Sequence, residues 1–248
     1  MCIFAGRHRL LRCPVPNLKI GIDMSTTMIW IVMIVVMVLS MVIQARVKSR
    51  FDKYSAVPVS MTGAEVANRM LLAHGIRDVN IVSVEGSLTD HYNPETKTVN
   101  LSGDVYYGRS VAAAAISAHE CGHAVQHATG YAPVKLRSAL VPVVSFTNNW
   151  VMWVLFAGVL LINVFPSLIW IGIGLFALTT LFSFVTLPVE IDASARAVKW
   201  LDSAGIVNYE TKPMAVEALR WAAYTYVIAA ISSLATLLYY ISLGSRRN

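Results

Sequence analysis

The sequence predicts a mainly α integral membrane protein, with about four transmembrane helices and a small α+β region carrying a β-hairpin. Apolar residues make up 56% of the 248-residue chain and charged residues only 14%, against about 25% charged in soluble domains. Mean hydropathy is +0.59. The apolar excess lies in long runs, and the stretches between them carry helix caps, alternation and turn residues.

Residues 1–23 hold four Lys/Arg residues, Pro14 and Pro16, and no apolar core of a signal peptide. They read as a disordered basic extension or a mis-called start ahead of Met24. Residues 24–45 form the first predicted span, with Met28 to Gln44 almost wholly apolar. Arg46, Lys48, Arg50 and Lys53 follow at once, which places this end on the cytoplasmic side by the positive-inside rule.

Residues 46–140 are predicted as the first polar region. Thr62 and Glu65 form a capping-box pattern, so a helix should run from there to about His74 and stop at Gly75. Arg77–Val84 alternates as a short strand would. Leu88–Tyr92 and Lys97–Leu101 flank Asn93-Pro94-Glu95-Thr96, whose turn chemistry predicts a β-hairpin. Ser110 to Thr129 reads as a helix rich in alanine, with Gly130 as its stop.

Residues 141–187 are predicted as two transmembrane helices joined by the uncharged turn Asn163–Ser167, a hairpin that returns the chain to the side it left. Residues 188–221 form a second polar helical region, with Pro188 near the first turn of a new helix. Residues 222–244 form the fourth span.

The net charge of +6 does not indicate nucleic acid, because the basic residues flank apolar runs and form no single face. Of the three cysteines, Cys2 and Cys13 lie in the extension and Cys121 in the alanine-rich helix, so no disulfide framework is indicated.

Within that helix, His119-Glu120-Cys121-Gly122-His123 fits the HExxH pattern. Residues four apart share a helix face, so His119 and His123 can reach one Zn²⁺ at about 2.0–2.1 Å. Glu120 is placed to take a proton from a zinc-activated water. Cys121 points about 100° away and reads as packing. His127 lies about 12 Å along the helix from His119, too far to share the ion. A histidine at position 129, which metzincins need, is threonine here.

A catalytic zinc usually has three protein ligands. The predicted membrane hairpin returns residue 190 to the face of His119 and His123, so Glu190 is the leading candidate. Asp192 is the alternative; on a helix it points about 200° away, so only one of the two can ligate. The other, with Arg196, would orient a histidine. The hairpin offers an edge along which a peptide could add as a strand, and Asp90, His91 and Tyr92 cluster there as candidates for positioning substrate.

The segments Leu88-Thr-Asp-His-Tyr-Asn-Pro94, Arg109-Ser-Val-Ala-Ala, Ala118-His-Glu-Cys-Gly-His-Ala-Val-Gln-His127 and Leu187-Pro-Val-Glu-Ile-Asp-Ala-Ser194 together resemble the bacterial YugP-type membrane zinc peptidases, over roughly residues 28–243. The family is described as neutral zinc metallopeptidases. More distantly, the chain is similar to the HtpX and prenyl-protein (CAAX) proteases, gluzincins that join HExxH to a downstream glutamate followed four residues later by aspartate. That glutamate falls on Glu190; the aspartate position is Ser194 here. The resemblance implies a multi-pass protein of the bacterial inner (plasma) membrane with a zincin-like catalytic region.

The expected function is therefore zinc endopeptidase chemistry, with one Zn²⁺ per chain on His119, His123 and Glu190 and Glu120 as general base. Its partners would be the lipid bilayer and a peptide or protein substrate, membrane-associated by proximity. The alternative is a zinc-binding membrane scaffold or chaperone partner without hydrolysis, which intact Glu120 argues against. A transporter would want ionisable groups inside its spans, and the apolar runs contain essentially none.

Overall fold

The structure is a computed structural model that describes residues 26–245; the extension 1–23 lies outside the described residues. In chain order the elements are α1 (Thr26–Ser55), α2 (Gly63–Ala73), β1 (Asn80–Val84), β2 (His91–Asn93), β3 (Thr98–Ser102), α3 (Gly103–Tyr106), α4 (Val111–Ala128), α5 (Ala132–Leu160), α6 (Ser167–Ser203) and α7 (Lys212–Ser245). The fold is a mainly α membrane protein with a small α+β region.

Four helices, α1, α5, α6 and α7, are long and apolar enough to cross a membrane. At 1.5 Å per residue they measure roughly 44–56 Å, well beyond the ~30 Å of bilayer hydrocarbon. Each therefore has turns to spare, and those turns build the polar-side region. In the apolar zone, Val151 and Leu155 of α5 and Ile169 and Ile173 of α6 form a buried core, with Leu237, Tyr240 and Ile241 of α7 against it. Two glycines permit the close approach of α5 and α6. A Cβ on Gly158 would lie 2.8 Å from Ile169 Cα, and one on Gly172 would lie 2.7 Å from Leu155 Cδ2. Trp30, Ile34, Trp153 and Phe156 point outward, as lipid-facing side chains should.

The second core joins the surplus turns to the small elements. Tyr54 of α1, Val66 and Met70 of α2, Val99 and Leu101 of β3, and Ala197 and Leu201 of α6 are buried together around α4. The capping box at Thr62 and Glu65 is formed, and Gly75 adopts a φ of +72° at the helix stop. The predicted hairpin is present as the antiparallel pair β2–β3. Sheet order is β1-β3-β2, with β1 running parallel to β3, so β2 is an edge strand. Arg50 of α1 pairs with Glu217 of α7 at 3.1 Å, and the Tyr54 hydroxyl donates to the same carboxylate.

The structure corrects the sequence reading at two boundaries. No new helix begins at Pro188: α6 runs unbroken from Ser167 to Ser203 with Pro188 inside it. Likewise α5 begins at Ala132, so the polar approach to the second span and the span itself are one helix. Proline interrupts the backbone ladder, but membrane helices tolerate it where neighbours compensate.

Candidate metal centre

The centre of the polar-side region is α4, buried on nearly all sides by α2, α6, α7 and the sheet. Its small residues allow this. A Cβ on Gly122 would lie 2.7 Å from the Ala193 carbonyl oxygen of α6, so glycine at 122 lets the two helices meet. That contact sets Glu190, one turn back along α6, against the histidines of α4.

The Glu190 Oε2 atom lies 3.2 Å from His119 Nε2 and 3.5 Å from His123 Nε2. One ligand atom from each of the three residues lies within 4.8 Å of the others. The two imidazoles stand edge to face, 4.8 Å apart. Glu190 is only 2% exposed, and its nearest cationic side chain is Arg137, 4.0 Å from Oε1. A buried carboxylate held between two imidazole nitrogens is a donor set that suits Zn²⁺.

Each histidine is fixed through its other nitrogen, as metal-ligating histidines usually are. His119 Nδ1 lies 3.1 Å from Ser194 Oγ. His123 Nδ1 lies 3.1 Å from Gln126 Oε1. Gln126, fully buried, donates its amide to both the Val189 carbonyl and Asp192 Oδ2 at 2.8 Å, and Asp192 also takes the Arg196 Nε hydrogen bond at 2.5 Å. Asp192 therefore points away from the metal-ligand cluster and links Arg196 to Gln126 in a chain running Arg196–Asp192–Gln126–His123. Arg196 further stacks over the Tyr131 ring at 5.6 Å.

Glu120 is 8% exposed and lines two cavities that meet at the cluster. One, of about 350 Å³, opens between the β-hairpin and α4–α5 and includes His91, Tyr92, Arg137 and Tyr226. The other, of about 130 Å³, reaches His119, Ser194 and Tyr226 from the α7 side. Asp90 belongs to both cavities, but its carboxylate also accepts the Ser102 N–H at 2.8 Å and thus braces the hairpin. Burial, only partly offset by those bonds, raises its pKa. His91 is exposed and bonds through Nδ1 to the Thr89 carbonyl. Tyr92 packs against the His127 ring at 5.6 Å.

Burial opposes the charged form of His123, but the Glu190 contact and the Glu120 charge outweigh it and raise its pKa. His127 goes the other way: burial, then the His123 and Arg137 charges, lower it. Cys121 is fully buried with its thiol 3.6 Å from the Ala67 carbonyl, and burial pushes its pKa up. It is a packing residue.

Sequence reasoning did not find Gln126, Arg137 or Tyr226. Gln126 had a signal, since it sits three residues after His123 on the same helix face as the one amide in a run of small and apolar side chains. Arg137 and Tyr226 come from other helices, and nothing local marks them.

A family model described as "Putative neutral zinc metallopeptidase" matches residues 29–245. A relative from Bacillus subtilis (strain 168), named "Putative membrane protease YugP", is 42% identical over 200 residues, covering 80% of this chain and 88% of that protein. No solved structure matches the chain. With a match spanning both halves of the site and all four long helices, the chain belongs to this family of neutral zinc metallopeptidases, with zinc as its cofactor.

Proposed function

We propose that this protein is a membrane-embedded zinc endopeptidase whose catalytic region faces the cytoplasm at the plasma membrane. The observation that carries the chemistry is the convergence of His119, His123 and Glu190 beside Glu120 at the floor of an open cleft. His119, His123 and Glu190 would hold the ion. Zinc, when bound, supplies Lewis-acid polarisation of a water and of the scissile carbonyl at neutral pH.

The chain's own residues supply the rest. Glu120 accepts the proton of the attacking water and delivers it to the leaving amine. Ser194 and Gln126 keep the imidazoles oriented. The β2 edge above the cleft offers backbone groups to an extended peptide, with His91 and Tyr92 beside it. The cytoplasmic orientation is supported by Arg46, Lys48, Arg50 and Lys53 at the polar end of α1.

Glu120→Gln tests this reading directly. The purified variant should bind zinc with unchanged stoichiometry and lose peptide hydrolysis by a factor of at least ~10². Hydrolysis at the original rate would remove Glu120 from the mechanism. A zinc-loaded native protein with no hydrolysis of any protein substrate would favour a non-hydrolytic scaffold.

A further inference from the structure

A third concavity, an open groove of about 610 Å³, runs between α6 and α7. Its walls include Ala195 and Val198 of α6 and Val216 and Val227 of α7. Ser194, Leu219 and Ala223 are shared with the small cavity on His119, Glu120 and Glu190. That cavity in turn shares Asp90, Glu120, Glu190 and Tyr226 with the cleft under the hairpin. The three concavities thus adjoin one another in order, from the β2 edge, past the metal centre, to an apolar groove.

We propose that the α6–α7 groove binds apolar side chains of an extended peptide whose scissile bond lies at the metal centre. This rests on the peptidase reading and adds a substrate class: peptides with hydrophobic residues on one side of the cleavage point. The direction of the groove favours peptide over lipid. The apolar run of α6 ends at Leu187, and the groove continues to Asp202, roughly 18 Å beyond Glu190 along the helix axis. Its far end carries Lys199 and the Asp202–Lys212 ion pair at 2.7 Å. Charged groups at that end place it in water, where acyl chains do not reach and an apolar surface is stabilised by burying apolar side chains.

The test uses the zinc-loaded Glu120→Gln protein in phosphatidylethanolamine/phosphatidylglycerol nanodiscs, so that binding is read without turnover. Fluorescent peptides of one core sequence carry two glycines, alanines, valines or leucines at one end or the other. At one end, affinity should rise roughly fourfold per buried methylene, and Ala195→Trp, which fills the groove, should flatten that rise. Val216→Thr keeps the shape of the wall, makes it polar, and should reduce the rise even if Ala195→Trp fails to fold. Equal affinity across the series would overturn the proposal, as would the same rise in both folded, zinc-loaded variants. So would displacement of the leucine peptide by monomeric dihexanoylphosphatidylcholine, which marks an acyl-chain site. Peptides that bind in this graded way but are not cut by the unmodified enzyme would overturn the peptidase reading and leave the groove standing.

Discussion

At the scale of single residues, the three candidate ligands are oriented by side chains outside their own set. Gln126 illustrates this. Its amide oxygen faces His123 Nδ1, while its amide nitrogen is spent on the Val189 carbonyl and Asp192. Because both amide hydrogens are committed to α6, the oxygen must face the ring, and His123 presents Nε2 to Glu190. Gln126→Leu keeps the volume but removes this device and leaves Asp192 with one partner fewer. Zinc affinity should fall by about 10- to 100-fold, measured by competition with a chromophoric chelator at fixed pH. An affinity within twofold of the unmodified protein would mean that packing alone orients His123. Ser194 plays the matching part for His119 with a neutral hydroxyl.

At the scale of elements, the site is a contact between two helices. At Gly122, α4 passes directly against the α6 backbone, with no room for a methyl group beside the Ala193 carbonyl. Gly122→Ala should push the helices apart, costing about 1–3 kcal/mol of stability by overpacking, and should weaken zinc binding because Glu190 moves with α6. Denaturation in detergent and metal analysis of the same sample check both effects; full stability with full zinc content would show that α6 yields elsewhere. This element scale also separates what could be read from the chain from what could not. The motif helix, the Thr62 capping box and the hairpin were legible because their signals are local. Glu190 was legible through topology, since a membrane hairpin must return to the side it left. The continuity of α6 through Pro188 was not, because proline's local preference for a helix start was overridden by packing on both sides of it. The parallel pairing of β1 with β3 was also hidden, since a period-two pattern names a strand and not its neighbour. Arg137 and Tyr226 reach the cleft from α5 and α7, at separations that no motif spans.

At the scale of the whole molecule, four helices serve two solvents. Their apolar lengths pack in lipid, and their surplus turns, cross-linked by Arg50, Tyr54 and Glu217, support the polar-side region and its candidate metal centre on one side. The longest, α6, fixes the polarity of the fold. At its start, the turn before it exposes Val164 (82%), and beyond its end Tyr209 is 95% exposed. Between them lie the 37 residues of α6, or about 55 Å, more than the thickness of the hydrocarbon core. The two positions must therefore emerge on opposite faces of the membrane. Cys121 is buried, so replacing Cys2 and Cys13 by serine leaves no accessible thiol. In that background, Val164→Cys should react with a membrane-impermeant maleimide in intact cells, and Tyr209→Cys only after the membrane is opened. The reverse pattern would place the metal centre outside the cell and leave its chemistry untouched. Labelling of both positions from the same face would contradict α6 as a membrane span, and with it the route by which Glu190 reaches the two histidines.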